Sequence, residues 1–118
     1  MGNVVKEKSF AFAVRVVNLY KYLRAEKKEF VLSKQLLRSG TAIGALVREA
    51  EQAESKPDFI HKSSIALKEA NESEYWLTLL HETQFLDPAA FASIHQDAVE
   101  LIRLLTSIIK TAKQNLGK

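Results

Sequence analysis

The chain has 118 residues, no cysteine and a formal net charge of +3, and 47% of its residues are hydrophobic. This size and composition are typical of one small globular domain, here residues 1–118. The lack of cysteine excludes disulfides, thiol catalysis and thiolate metal sites. We expect a cytoplasmic protein without a membrane partner, because there is no signal-peptide pattern and no run of about 18 uncharged apolar residues.

The first predicted helix runs from about Val5 to Ala25. Its apolar residues form two sets at helical spacing, about a hundred degrees apart around the helix. The first set is Phe10, Ala13, Val14, Val17 and Tyr20, and the second is Phe12, Val16, Leu19 and Leu23. So wide an apolar face predicts burial on two sides, one against the bundle core and one against a second subunit.

The second predicted helix begins at Val31 or Ser33 and ends near Ala53. Gly40 and Gly44 lie inside it, where each costs about 1 kcal/mol relative to alanine. Close approach of a neighbouring helix would explain two glycines among other small residues; a tolerated local weakness is the alternative.

Two cap-and-proline signals mark the starts of the remaining helices. Ser55-Lys56-Pro57-Asp58 resembles a capping box, so the third helix is predicted from Lys56 to about Thr83. Asp87-Pro88 repeats the signal and starts a fourth helix that extends to about Asn115. Short connections favour antiparallel neighbours, so the predicted fold is an all-α, up-and-down four-helix bundle.

Metal and catalytic motifs are poorly represented in the sequence. A di-iron bundle needs paired Glu-x-x-His motifs, and the nearest approximation here is Asp58 with His61. Gly40 and Gly44 lack the lysine of a phosphate-binding loop. We therefore predict no catalytic residues, no metal, no cofactor and no small-molecule substrate.

Arg38 and Glu74 lie about equally far from the turn at residues 55–57, on helices that should be antiparallel. We expect them at similar height, forming a partly buried ion pair that fixes the register of the two helices.

Basic side chains are concentrated in residues 1–30, which hold seven basic and three acidic residues. Such a patch is suited to phosphate contacts, and a solvated helix face is the alternative. The candidate nucleic-acid-binding residues are Lys6, Lys8, Arg15, Lys21, Arg24, Lys27 and Lys28.

Two segments are distinctive: SKQLLRSGTAIGALVREA (residues 33–50) and SKPDFIHKSSIALKEANESEYWL (residues 55–77). Together they resemble the bacterial four helix bundle protein family, also called the 23S rRNA-intervening-sequence protein family, most strongly from Leu32 to Leu86. The resemblance implies barrel-shaped homopentamers without enzymatic activity. It also implies kinship with the accessory protein of diversity-generating retroelements, whose basic surface binds reverse transcriptase and nucleic acid. The family's glutamine–leucine–arginine segment corresponds to Gln35, Leu36 and Arg38, and its acidic position on the third helix to Glu74.

Three functions are therefore considered. The first is a non-enzymatic, homo-oligomeric (pentameric) interaction protein that engages RNA or a nucleoprotein partner. The second is a structural or protein-binding scaffold without a nucleic-acid role, and the third is a metal-containing bundle enzyme.

Overall fold

The computed structural model describes the backbone of residues 2–117 and the side chains of residues 4–117, and these residues form four helices and no strand. The helices are α1 (Gly2–Ala25), α2 (Leu32–Glu51), α3 (Lys56–Glu82) and α4 (Pro88–Leu116). Each helix packs against the next, and α4 returns to α1. The predicted antiparallel four-helix bundle is confirmed; Met1 and Lys118, the end points of the predicted domain, lie outside the described residues.

One continuous core fills the space between the four helices. Leu36 and Ile43 of α2, Leu77 of α3 and Leu101 of α4 are among its fully buried side chains. Burying one such side chain stabilises the fold by about 1.5–3 kcal/mol. The molecule measures 52 × 21 × 20 Å, a long and slender shape that follows from packing helices of 20–29 residues side by side.

The two apolar sets of α1 have different environments. Phe12, Val16 and Leu23 of the second set are buried in the core. In the first set, Phe10 and Val14 remain 56% and 45% exposed. The core accordingly uses one side of α1, and an apolar stripe remains on the other.

Small residues bring α2 close to its neighbours. The Oγ atoms of Ser39 on α2 and Ser73 on α3 lie 2.9 Å apart and form a buried hydrogen bond. A Cβ atom on Gly40 would lie 2.8 Å from Val16 Cγ2 of α1, and one on Gly44 would lie 3.5 Å from the Ser9 carbonyl oxygen. The predicted close approach at both glycines is confirmed.

The starts of α3 and α4 follow the cap-and-proline signals. Ser55 Oγ accepts a hydrogen bond from Asp58 N–H at 3.1 Å, and Asp87 Oδ1 accepts one from Ala90 N–H at 2.8 Å. The Asp58 carboxylate accepts from Glu54 N–H rather than from Ser55, so the capping box is displaced by one residue.

The turn between α1 and α2 and the turn between α3 and α4 lie at the same end of the bundle, because the helices alternate in direction. Lys27 of the first turn and Gln84 and Asp87 of the second line the same surface depression. Each turn contains one non-glycine residue with positive φ, Lys28 (54°) and Gln84 (71°). The α3 helix ends in a Schellman motif around Gln84, in which Phe85 N–H donates to the Leu80 carbonyl.

Candidate nucleic-acid interface

Three of the seven candidate cations, all of them on α1, form ion pairs with other helices. Lys6 Nζ lies 3.1 Å from Glu51 of α2, and Lys8 Nζ lies 3.1 Å from Glu100 of α4. Exposed pairs of this kind contribute about 0–1 kcal/mol, so they do little for stability. They do place a carboxylate beside each of the two lysines, which offsets the positive charge at these positions.

Arg15 is the most extensively paired of the three. Its Nη1 donates to Asp97 Oδ2 at 2.7 Å, and its Nη2 donates to Ser93 Oγ at 2.9 Å. Both partners belong to α4, one turn apart, so the planar guanidinium spans the α1–α4 seam. Arg15 therefore serves as a connection between helices, with three hydrogen bonds from its Nη1 and Nη2 atoms to α4.

The other four cations lie together at the end of α1 and in the turn that follows it. Their side chains are exposed, and no ion pair among the described residues involves any of them. These residues are Lys21, Arg24, Lys27 and Lys28. The structure thus divides the candidate set into three paired cations along α1 and four unpaired cations at one end of the bundle.

Aromatic rings accompany the unpaired group. The Arg24 guanidinium carbon lies 5.3 Å from the ring centroid of Tyr20 and 5.0 Å from that of Phe30, both cation–π distances. Tyr20, Lys21, Arg24, Lys28 and Phe30 line one open depression, which we call the basic–aromatic cluster. Lys27 faces the adjacent depression on the α4 side.

Glu29 follows the basic run in sequence but does not neutralise it. Its carboxylate turns inward and accepts hydrogen bonds from the backbone N–H groups of Val31, Leu32 and Ser33 at 2.7–3.1 Å. Burial by itself raises the pKa of Glu29, but these three donors outweigh it and the net pKa is lowered from 4.5. The Glu29 carboxylate therefore interacts with the N-terminus of α2 and not with the lysines. Glu26 is the exposed acid of this turn.

Lys28 holds a backbone conformation that L-residues avoid. Its φ of 54° is left-handed, and such a conformation costs about 1–2 kcal/mol in a residue other than glycine. Glycine is the usual choice at a helix C-terminus of this shape. A lysine at this position adds a cation to the cluster at some cost in stability.

The expected Arg38–Glu74 ion pair is absent from the described residues, and this prediction needs correction. Glu74 Oε2 lies 2.8 Å from His95 Nε2 of α4 and accepts a hydrogen bond from Thr78 Oγ1. Arg38 is exposed to solvent. The two residues do lie at similar height, as the bond between neighbouring Ser39 and Ser73 indicates, but Glu74 faces α4 and Arg38 faces away.

Ring stacking extends this polar group along the α3–α4 seam. The Phe91 ring lies between those of His81 and His95, with centroid distances of 4.4 and 4.7 Å. His81 Nδ1 is also within hydrogen-bond distance of the Leu86 carbonyl.

Among the described residues, no three His, Asp or Glu side chains are placed to share a metal ion. None of the described helices is both long and apolar enough to cross a membrane.

These features define a small all-α bundle with a group of unpaired cations and two aromatic rings at one end of its first helix. The family model described as 23S rRNA-intervening sequence protein matches residues 2–107, and the chain belongs to this family. This confirms the resemblance carried by residues 33–50 and 55–77.

A solved structure is also similar to the chain. It is described as a protein with unknown function from the S23 ribosomal protein family of Bacteroides thetaiotaomicron. The two are 62% identical with a TM-score of 0.91, over 92% of this chain and 97% of that one. No curated protein matches the chain. Neither the family nor this structure carries a catalytic description.

Proposed function

We propose that this protein is a non-enzymatic, homo-oligomeric interaction protein that binds RNA, alone or within a nucleoprotein partner. The observation that carries the proposal is the group of four exposed cations at the end of α1, which no carboxylate among the described residues pairs with. Unpaired Lys and Arg side chains supply the phosphate contacts that dominate nucleic-acid affinity.

Oligomerisation is supported by the outer side of α1. Phe10, Val14 and Val17 follow i, i+4, i+7 spacing, and the first two are about half exposed. An apolar stripe on a helix favours contact with another apolar surface. A second copy is the occupant that we propose, and five copies is the number that the family resemblance implies. Each added copy brings a further basic–aromatic cluster into the assembly, which would raise RNA affinity through multivalency.

The test is a fluorescence anisotropy titration with a structured RNA at several salt concentrations. Lys21→Gln/Lys28→Gln removes two unpaired cations, and Lys6→Gln/Lys8→Gln removes two paired ones. The two variants have the same net charge, so a difference between them reports position rather than total charge. We expect only the first to weaken binding and to flatten the dependence of log affinity on log salt, by about 0.7–0.9 for each phosphate that the variant no longer binds.

Absence of RNA binding by the unmodified protein at low salt would rule out this function. A protein scaffold without a nucleic-acid role would then be the better account of the same structure. Equal reductions of affinity in the two variants would instead show that net charge, and not the cluster, governs the interaction.

A further inference from the structure

We infer that the basic–aromatic cluster binds unpaired RNA nucleotides, with a base stacked on Phe30 and the flanking phosphates on Lys21, Arg24 and Lys28. The inference rests on the RNA binding proposed above and specifies which form of RNA the site accepts. Its basis is the juxtaposition of a half-exposed aromatic ring with three exposed cations in one open depression.

Phe30 is placed as a stacking platform. It lies in the connection between α1 and α2, outside both helices, and 48% of it is exposed. Arg24 packs over the ring at 5.0 Å and over Tyr20 at 5.3 Å, so the guanidinium links the two aromatic side chains. A ring held by such a contact loses little freedom when a base stacks on its remaining surface.

This chemistry favours single strands over duplexes. Bases in an A-form duplex are already paired and stacked on one another, and the duplex presents mainly phosphates and 2′-hydroxyls to a protein. A duplex would engage the cations and leave Phe30 without a partner. Unpaired bases stack on exposed aromatic side chains, while phosphates follow the adjacent positive charge.

The positive charge of the cluster is suited to phosphates because neither acid of the adjoining turn forms an ion pair with it: Glu26 is exposed, and Glu29 is buried. Glu29, which follows Lys28 in sequence, is committed to the N-terminus of α2 through three backbone N–H groups. The cations nearer the N-terminus of α1 have carboxylate partners: Lys6 pairs with Glu51, and Lys8 pairs with Glu100. Positive charge and an accessible ring therefore coincide at this end of α1.

The experiment compares a labelled single-stranded RNA of about 12 nucleotides, within the common size range of single-strand sites, with the same strand annealed to its complement. The proteins are the unmodified chain, Phe30→Ala, Phe30→Trp and Tyr75→Ala. Tyr75 is the matched control, because it is an exposed aromatic residue (56%) on α3, away from the basic–aromatic cluster. Circular dichroism checks that each variant retains the helical fold.

We expect the unmodified protein to prefer the single strand. Phe30→Ala should weaken single-strand binding by about 5- to 150-fold, the effect of removing one base–aromatic stack, and leave duplex binding unchanged. Phe30→Trp should retain single-strand affinity, and Tyr75→Ala should behave as the unmodified protein.

Two results would overturn the inference and leave RNA binding intact: equal affinity for the two forms of RNA, or single-strand affinity that is insensitive to Phe30→Ala but abolished in Lys21→Gln/Lys28→Gln. Failure of the unmodified protein to bind any RNA at low salt would remove the inference together with the proposed function.

Discussion

Val16 of α1 packs directly onto Gly40 of α2, and a methyl group on Gly40 would lie 2.8 Å from Val16 Cγ2 and 2.9 Å from Cγ1. Valine is stiff at χ1 within a helix, and Val16 is fully buried, so it cannot easily move aside. Gly44, one turn later, has room for a methyl group, because the nearest atom is the Ser9 carbonyl oxygen at 3.5 Å. The two glycines therefore contribute differently to the fold.

We predict opposite effects of alanine at these positions. Gly40→Ala gains about 1 kcal/mol of helix propensity but overpacks the α1–α2 contact, with an expected net destabilisation of about 1–2 kcal/mol. Gly44→Ala should stabilise by about 0.5–1 kcal/mol. Urea denaturation of both variants provides the measurement. Val16→Ala should reduce the cost of Gly40→Ala in the double variant, and simple additivity would contradict the proposed steric contact.

Glu29 provides a second prediction, since its carboxylate caps α2. Glu29→Ala should lower the free energy of unfolding by about 1–2 kcal/mol at neutral pH, the range for removal of a helix cap. Glu26→Ala, an exposed acid in the same turn, should change stability by less than about 0.5 kcal/mol.

The contribution of Glu29 should also depend on pH. Its pKa is lowered in the folded state, so its stabilisation is complete above the ordinary value of 4.5 and is lost as the pH falls through the lowered folded-state value. The stability difference between the unmodified protein and Glu29→Ala should accordingly shrink in acid. A difference that stayed constant down to pH values well below 4.5 would show that the carboxylate charge does not support the cap.

Gln84 and Gln52 allow a matched test of helix termination. Gln84 has a φ of 71° and Gln52 a φ of −100°, although both follow a helix C-terminus. Gln84→Gly should stabilise by about 0.5–1 kcal/mol, because glycine adopts positive φ without the steric cost. Gln52→Gly should be neutral or slightly destabilising. Thermal unfolding distinguishes them, and a gain at both positions would point to an effect other than φ.

We predict that substitutions of Arg15 and Arg24 differ in their effects on RNA affinity. Arg15→Gln breaks the contacts with Asp97 and Ser93 and should cost about 0.5–1 kcal/mol of stability, with little effect on RNA affinity. Arg24→Gln removes two exposed cation–π contacts and should cost about 1–2 kcal/mol of stability, but unlike Arg15→Gln it should also weaken RNA binding and its salt dependence. Denaturation and anisotropy on the same samples test both expectations, and the reverse assignment would refute the division of cations made above.

The apolar stripe of α1 gives the last prediction. Phe10→Ser/Val14→Ser should reduce the molar mass measured by light scattering, because it removes the surface proposed to contact a second copy. Val31→Ser is the control, since Val31 is 69% exposed but lies outside the stripe. A chain that is monomeric before substitution would exclude the assembly.

The fold was largely predictable because its signals are local. Ser55 and Pro57 start α3, and Asp87 and Pro88 start α4, through bonds that span only three residues. The start of α2 was less certain, since its cap comes from the side chain of Glu29, which is separated from the helix by two further residues. No standard N-cap residue marks that position.

The candidate site was predictable only in part, because ion pairs depend on partners distant in sequence. Lys8 pairs with Glu100 and Arg15 pairs with Asp97, and both carboxylates belong to α4. These pairs cannot be predicted until the position of α4 against α1 is known. The Arg38–Glu74 prediction identified the height of the two residues along their helices but not the direction in which each points. Phe30 had one available signal in the sequence, because it is an aromatic residue two positions after the lysine pair Lys27-Lys28.

The antiparallel arrangement has a practical use for testing the proposed RNA binding. Thr111, near the end of α4, is exposed and lies at the opposite end of the 52 Å long bundle from Phe30. Since the sequence contains no cysteine, a Thr111→Cys variant would carry a single reactive thiol for a fluorescent dye. Energy transfer from that dye to one or other terminus of a bound oligonucleotide would then report strand polarity without disturbing the residues that hold it.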